Sequence, residues 1–129
     1  MDKLPVFLDV KGHRVLVAGG GTAAARKVEL ASRAGAAVTV HAPDVGEELR
    51  HMIRDRAVRH VAEPVSAQDL EGCVLAFCAF EDDAENERIR LLAAAAGVPA
   101  NVVDRPELCD FTIPAILDRG NFVVAISSG

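Results

Sequence analysis

Residues 13–24 read His13-Arg14-Val15-Leu16-Val17-Ala18-Gly19-Gly20-Gly21-Thr22-Ala23-Ala24, and the fold is decided in this stretch. His13 to Ala18 is a near-continuous apolar run, of the kind buried on both faces of a parallel sheet. After the glycines, Thr22 to Ala34 reads as a helix: Val28, Ala31 and Ala34 recur at helical spacing, and Gly35 supplies a stop. The glycines fit G-x-G-x-x-A between a strand and a helix. Gly19 permits a tight turn, Gly21 lets the backbone approach a pyrophosphate, and Ala24 is small enough for close packing of helix on sheet. Unpaired N–H groups at the helix start then face the phosphates.

The flanking sequence repeats the alternation. Pro5 to Val10 is a short extended run closed by a turn at Lys11-Gly12-His13. Ala37 to His41 is a strand, followed by Pro43-Asp44 and a polar helix to about Arg54. Ala57 to Ala62 is a less apolar strand, suited to an edge, and Ser66 to Leu70 is one helical turn. Cys73 to Ala79 is a buried strand, Asp82 or Asp83 caps a helix running to Ala96, and Pro99 to Val103 is a strand ending at Asp104. Thr112 to Leu117 and Phe122 to Ser127, joined through Gly120-Asn121, read as an antiparallel hairpin. The class predicted is α/β: a Rossmann-like, doubly wound parallel sheet with a C-terminal β-hairpin.

Composition narrows the function. Fourteen Lys and Arg stand against 19 Asp and Glu, a formal charge of −5, with no Trp or Tyr. That balance offers no general attraction for nucleic acid or an anionic membrane. The start, Met1-Asp2-Lys3-Leu4-Pro5, lacks the charged-then-apolar pattern of a signal peptide, and Leu91 to Val103, interrupted by Gly97 and Pro99, is too short to span a bilayer. The three cysteines form no C-x-x-C pair and the four histidines show no ligand spacing, so no bound metal is expected. These features describe a soluble, cytoplasmic protein.

Asp44 lies 20 residues beyond Ala24, after the second strand, where a carboxylate can bind the adenosine ribose hydroxyls. It can equally serve as an N-cap for the next helix. No Arg or Lys follows that strand before Arg50 to receive a 2′-phosphate, which favours NAD over NADP. His41 can flank the adenine, although a residue in that position is more often simply the end of a strand. On these grounds alone, a dehydrogenase and a non-catalytic NAD-sensing module fit equally well.

Four stretches in order separate the two. Leu4-Pro5-Val6-Phe7-Leu8-Asp9, Val17-Ala18-Gly19-Gly20-Gly21 with Ala24 and Arg26-Lys27, Asn101-Val102-Val103-Asp104, and Phe111-Thr112-Ile113-Pro114-Ala115 resemble the amino-terminal part of the siroheme synthase and precorrin-2 dehydrogenase family. The ending Val124-Ala125-Ile126-Ser127-Ser128-Gly129 is similar too. The resemblance implies NAD-dependent oxidation of precorrin-2 to sirohydrochlorin, and in many members insertion of Fe²⁺, as a substrate, by a sirohydrochlorin ferrochelatase (lyase) activity. It places Gly21, Thr22 and Ala23 on the pyrophosphate, Pro43 and Asp44 near the adenosine, and a catalytic role on Asp104. It also implies a homodimer, built by a helical segment that, like the methyltransferase region of bifunctional members, lies outside these 129 residues. Residues 1–129 are therefore expected to form a single NAD-binding domain.

Asp104 suits catalysis independently, at the carboxyl end of a strand in a doubly wound sheet. The alternative is that it caps or ion-pairs the loop beginning Arg105-Pro106. A tetrapyrrole with eight carboxylates needs local positive charge. Arg105 and Arg119 on loops near the expected ligand edge, with Arg26 and Lys27, are candidates, and Asn101 and Ser128 are candidate hydrogen-bonding groups.

Overall fold

The computed structural model describes residues 1–128. Five parallel strands are formed by Arg14–Ala18 (β1), Ala37–His41 (β2), Arg59–Val61 (β3), Cys73–Cys78 (β4) and Ala100–Val102 (β5), in the order β3-β2-β1-β4-β5. Helices Thr22–Arg33 (α1), Glu47–Asp55 (α2), Ala67–Leu70 (α3) and Asp83–Ala95 (α4) make the crossovers. The strand order reverses between β1 and β4. At such a point the two neighbouring crossovers diverge to opposite faces and leave a crevice at the carboxyl edge.

Alternation along β1 divides the core. Val15 and Val17 pack with Ala24, Ala25 and Val28 of α1, Leu49 of α2 and Phe77 of β4. Leu16 and Ala18 pack on the other face with Leu70 of α3, Ile89 and Ala93 of α4, and Cys78. A strand covered on both sides must be apolar at every position, which explains the unbroken Val15-Leu16-Val17-Ala18 run. The edge strand β3 is less buried and mixes polar with apolar residues, as expected. Helix α4 begins at Asp82, whose carboxylate accepts from the Ala84 and Glu85 N–H groups. Ser66 and Asp69 form a reciprocal capping box on α3.

Two expectations change. Pro5 to Val10 forms no strand. The following turn is fixed by bonds from the His13 N–H to the Val10 carbonyl and from the Gly12 N–H to the Gly35 carbonyl, both 2.9 Å. Leu4, Val6, Phe7 and Leu8 stay exposed ahead of it. The hairpin does form, from Ala115–Asp118 (β6) and Val123–Ile126 (β7), as a separate two-stranded sheet. Its tip, however, is not at the ligand edge. Asp118 pairs with Arg33 at 3.0 Å, at the carboxyl end of α1 and so at the amino edge of the sheet. Arg119, next in sequence, is carried to the side opposite the crevice.

Candidate nucleotide and tetrapyrrole site

The glycine loop is built by close backbone approach. Gly19 has φ +142°, and a Cβ there would lie 2.6 Å from the Ala79 carbonyl oxygen beyond β4. Gly20, the position that the fingerprint leaves free, is more confined: a Cβ would lie 2.0 Å from the Asp44 carbonyl oxygen. The Gly46 N–H donates to the Gly20 carbonyl at 2.8 Å, clasping the β2–α2 loop to the glycine loop. Gly21 is the opposite case. It is exposed, and a Cβ there would meet nothing within 4 Å. As N-cap of α1 it offers no side chain to the first-turn N–H groups. Open space before a helix N-terminus is the cradle that a pyrophosphate requires.

Asp44 is exposed in that clasped loop, beside Gly20. The N-cap of α2 is Gly46, so capping does not account for Asp44. Beside the loop that carries Asp44, a cleft of about 340 Å³ opens between the carboxyl ends of β2, β3 and β4. Its walls include His41, Pro43, Glu63 and Phe80, with Asp82 and Glu85 at the start of α4. His41 is buried, and its Nδ1 lies 3.3 Å from the Glu63 carbonyl oxygen. A carbonyl only accepts, so the ring nitrogen facing it carries the proton. His60 donates likewise through Nε2 to the Ala42 carbonyl at 2.8 Å.

Asp104 stands beyond β5, exposed, at φ +63°. Left-handed backbone is uncommon for a residue with a Cβ, though Asp tolerates it better than most, and such residues cluster at functional sites. Neither structural alternative holds. Arg105 pairs with Glu107 at 2.6 Å and Asp83 at 3.3 Å, and the short 3-10 turn Pro106–Leu108 has no side-chain cap. Arg105 therefore already has its countercharges, and Glu107 is held below the usual carboxylate range by that guanidinium.

The remaining candidates are dispersed. Asn101 is buried, and its Nδ2 donates to the Phe111 carbonyl at 2.9 Å, a tether for the chain after β5. Ser128 is exposed at the end of β7. It lies two residues past the last paired position, Ile126; Gly129 lies outside the described residues. Lys27 places Nζ 5.9 Å from the centroid of the Phe77 ring, which Phe111 meets edge-on at 5.5 Å. Arg26 is exposed on α1. All three cysteines are free thiols, and burial pushes Cys78 up to about 12, the mark of an inert core thiol. Among the described residues, no three His, Cys, Asp or Glu side chains converge on a metal position, and no helix is long and apolar enough to cross a membrane.

Gly20 and Gly46 are the positions that sequence reasoning missed. The third glycine in a row, where the fingerprint asks for only two, was the signal for the first.

The family model described as "Putative NAD(P)-binding" matches residues 6–115. Siroheme synthases of Nitrosomonas eutropha and Stutzerimonas stutzeri are 43% and 45% identical to this chain over its whole length. The chain spans 27% and 28% of their lengths. The solved structure of SirC, precorrin-2 dehydrogenase, matches with a TM-score of 0.84 and 32% identity, over 98% of this chain and 61% of that one. With the glycine loop, the crevice and a match over most of its length, the chain belongs to this NAD(P)-binding family.

Proposed function

We propose that the domain binds NAD⁺ across the crevice and oxidises precorrin-2 to sirohydrochlorin in siroheme synthesis, with Asp104 as the proton-accepting carboxylate. The observation that carries this reading is the placement of the glycine loop and Asp104 beyond the carboxyl ends of β1 and β5, on either side of β4. The ends are two strand spacings apart, about 10 Å, a span that a dinucleotide covers. The named relatives support the same reading.

The Thr22 and Ala23 N–H groups hold the pyrophosphate past the bare Gly21, while Pro43 and Asp44 receive the adenosine. Carboxylates of Glu63, Asp82 and Glu85 border the adenosine cleft. Arg88, the cation beside them, is bound to Glu85 at 2.7 Å. A 2′-phosphate would meet net negative charge there, which favours NAD⁺ over NADP⁺. When bound, NAD⁺ supplies the acceptor for the hydride leaving the tetrapyrrole. Asp104 takes the proton released with it. The same carboxylate is suited to take pyrrole N–H protons as Fe²⁺, a second substrate, enters sirohydrochlorin. Lys27, Arg26 and, after exchanging its present partners, Arg105 are the cations available for substrate carboxylates. The active form is a homodimer.

Anaerobic absorbance with precorrin-2 and NAD⁺ tests the reading. Sirohydrochlorin and NADH are expected in equal amounts. A folded protein that binds NAD⁺ and forms neither product would be either a nucleotide-sensing module or an enzyme domain that needs the further segments its relatives carry, and repeating the assay with the helical segment added separates the two.

A further inference from the structure

The outer edge of β5 is covered by residues 109–111. The Ala100 N–H donates to Asp110 Oδ2 at 2.9 Å, and the Asp110 N–H returns a bond to the Ala100 carbonyl at 2.8 Å. One step along, the Val102 N–H donates to Cys109 Sγ at 3.1 Å, with the same sulfur 3.2 Å from the Val102 carbonyl oxygen and 3.4 Å from that of Arg105. Between them Asn101 reaches the Phe111 carbonyl. A strand edge normally satisfies its N–H and C=O groups with another strand or with water. Here three side chains substitute for a sixth strand.

The loop so enclosed, 103–108, carries Asp104. Its entry is a turn closed by the Arg105 N–H on the Val102 carbonyl at 3.1 Å, and its exit is Cys109. Both ends therefore converge on Val102. The thiol has one proton to give, and Arg105 already donates to the Val102 carbonyl. Giving that proton to the Arg105 carbonyl satisfies every group in the knot and ties the residue next to Asp104 directly to Cys109. Asp104, at positive φ, has no side-chain anchor of its own and depends on its neighbours for position.

Resting on the dehydrogenase reading above, we propose that Cys109 is a positioning residue: its thiol, with Asp110 and Asn101, fixes the backbone on both sides of Asp104 and so aims the carboxylate. Cys109 touches neither nucleotide nor substrate in this role.

The test compares Cys109→Ala and Cys109→Ser, with Cys73→Ala as control, by amide hydrogen exchange and by turnover. In Cys109→Ala the Val102 amide is expected to exchange about tenfold faster. The kcat should fall about tenfold while KM for NAD⁺ changes less than about twofold. Serine, which also accepts and donates, should restore most of both; Cys73→Ala should change neither. Unchanged Val102 exchange in Cys109→Ala would overturn the proposal. So would unchanged kcat in that variant when Asp104→Ala abolishes turnover. Turnover that survives Asp104→Ala would instead remove the catalytic assignment of Asp104, with the exchange data still deciding whether Cys109 holds the loop.

Discussion

On the adenosine side of the crevice, backbone packs against backbone. Gly20 lies against the Asp44 carbonyl, Gly19 against that of Ala79, and Gly46 donates to Gly20. On the Asp104 side, the backbone is held by side chains: Cys109 on Val102, Asp110 on Ala100, Asn101 on Phe111. The glycine-loop side therefore has no room for a Cβ at Gly19 or Gly20, whereas the Asp104 side depends on particular donors and acceptors. The difference suits the work. A pyrophosphate needs a preformed bare cradle, and a general base needs an aimed but solvent-reachable carboxylate.

The contrast is broken most severely by Gly20→Ala. A methyl group 2.0 Å from a backbone carbonyl forces the glycine loop and the Asp44 loop apart. Loss of about 3 kcal/mol in urea unfolding and about a hundredfold weaker NAD⁺ binding by calorimetry are expected. Gly21→Ala sharpens the point, because its Cβ meets no protein atom. Stability should stay within about 0.5 kcal/mol while NAD⁺ affinity drops about tenfold. Equal stability losses in the two variants would contradict the division.

The smallest effect is an acid one. Burial raises the Asp69 carboxyl, but bonds from the Ser66 N–H and hydroxyl outweigh it, leaving Asp69 below its ordinary value. The Arg88 guanidinium lowers Glu85 in the same sense. A carboxyl whose folded value is depressed stabilises the fold above its unfolded value and loses that contribution as pH falls through the folded one. Unfolding midpoints should decline from about pH 4 downward. Both groups are largely solvated, so the total stays under about 1 kcal/mol. Asp69→Asn should flatten the decline.

Much of this was legible in the sequence because the decisive constraints are local. An apolar strand, three glycines and the start of a small-residue helix lie within 12 consecutive residues, 13–24, and the buried strands announce themselves by unbroken apolar runs. The position of Asp104 just past a strand was legible from the Asn-Val-Val run before it. The confinement of Gly20 was not, since it depends on the Asp44 carbonyl beyond the next strand. The position of Arg119 was hidden for the same reason, being set by an ion pair between Arg33 and Asp118, 85 residues apart. Asn101 looked like a ligand group because sequence shows an amide, not the Phe111 carbonyl that occupies it. Pro5 to Val10 has the composition of a strand but lacks a partner edge, a property of the assembled sheet.

The central claim is that Asp104 takes the substrate's proton while the nucleotide is held elsewhere. Asp104→Asn keeps size and hydrogen bonding but removes the base, so the most direct test measures its turnover and its NAD⁺ affinity side by side. The account predicts a fall in turnover of at least about a hundredfold, with the NAD⁺ Kd within about twofold of the parent. Parallel loss of both, or full turnover, would contradict it.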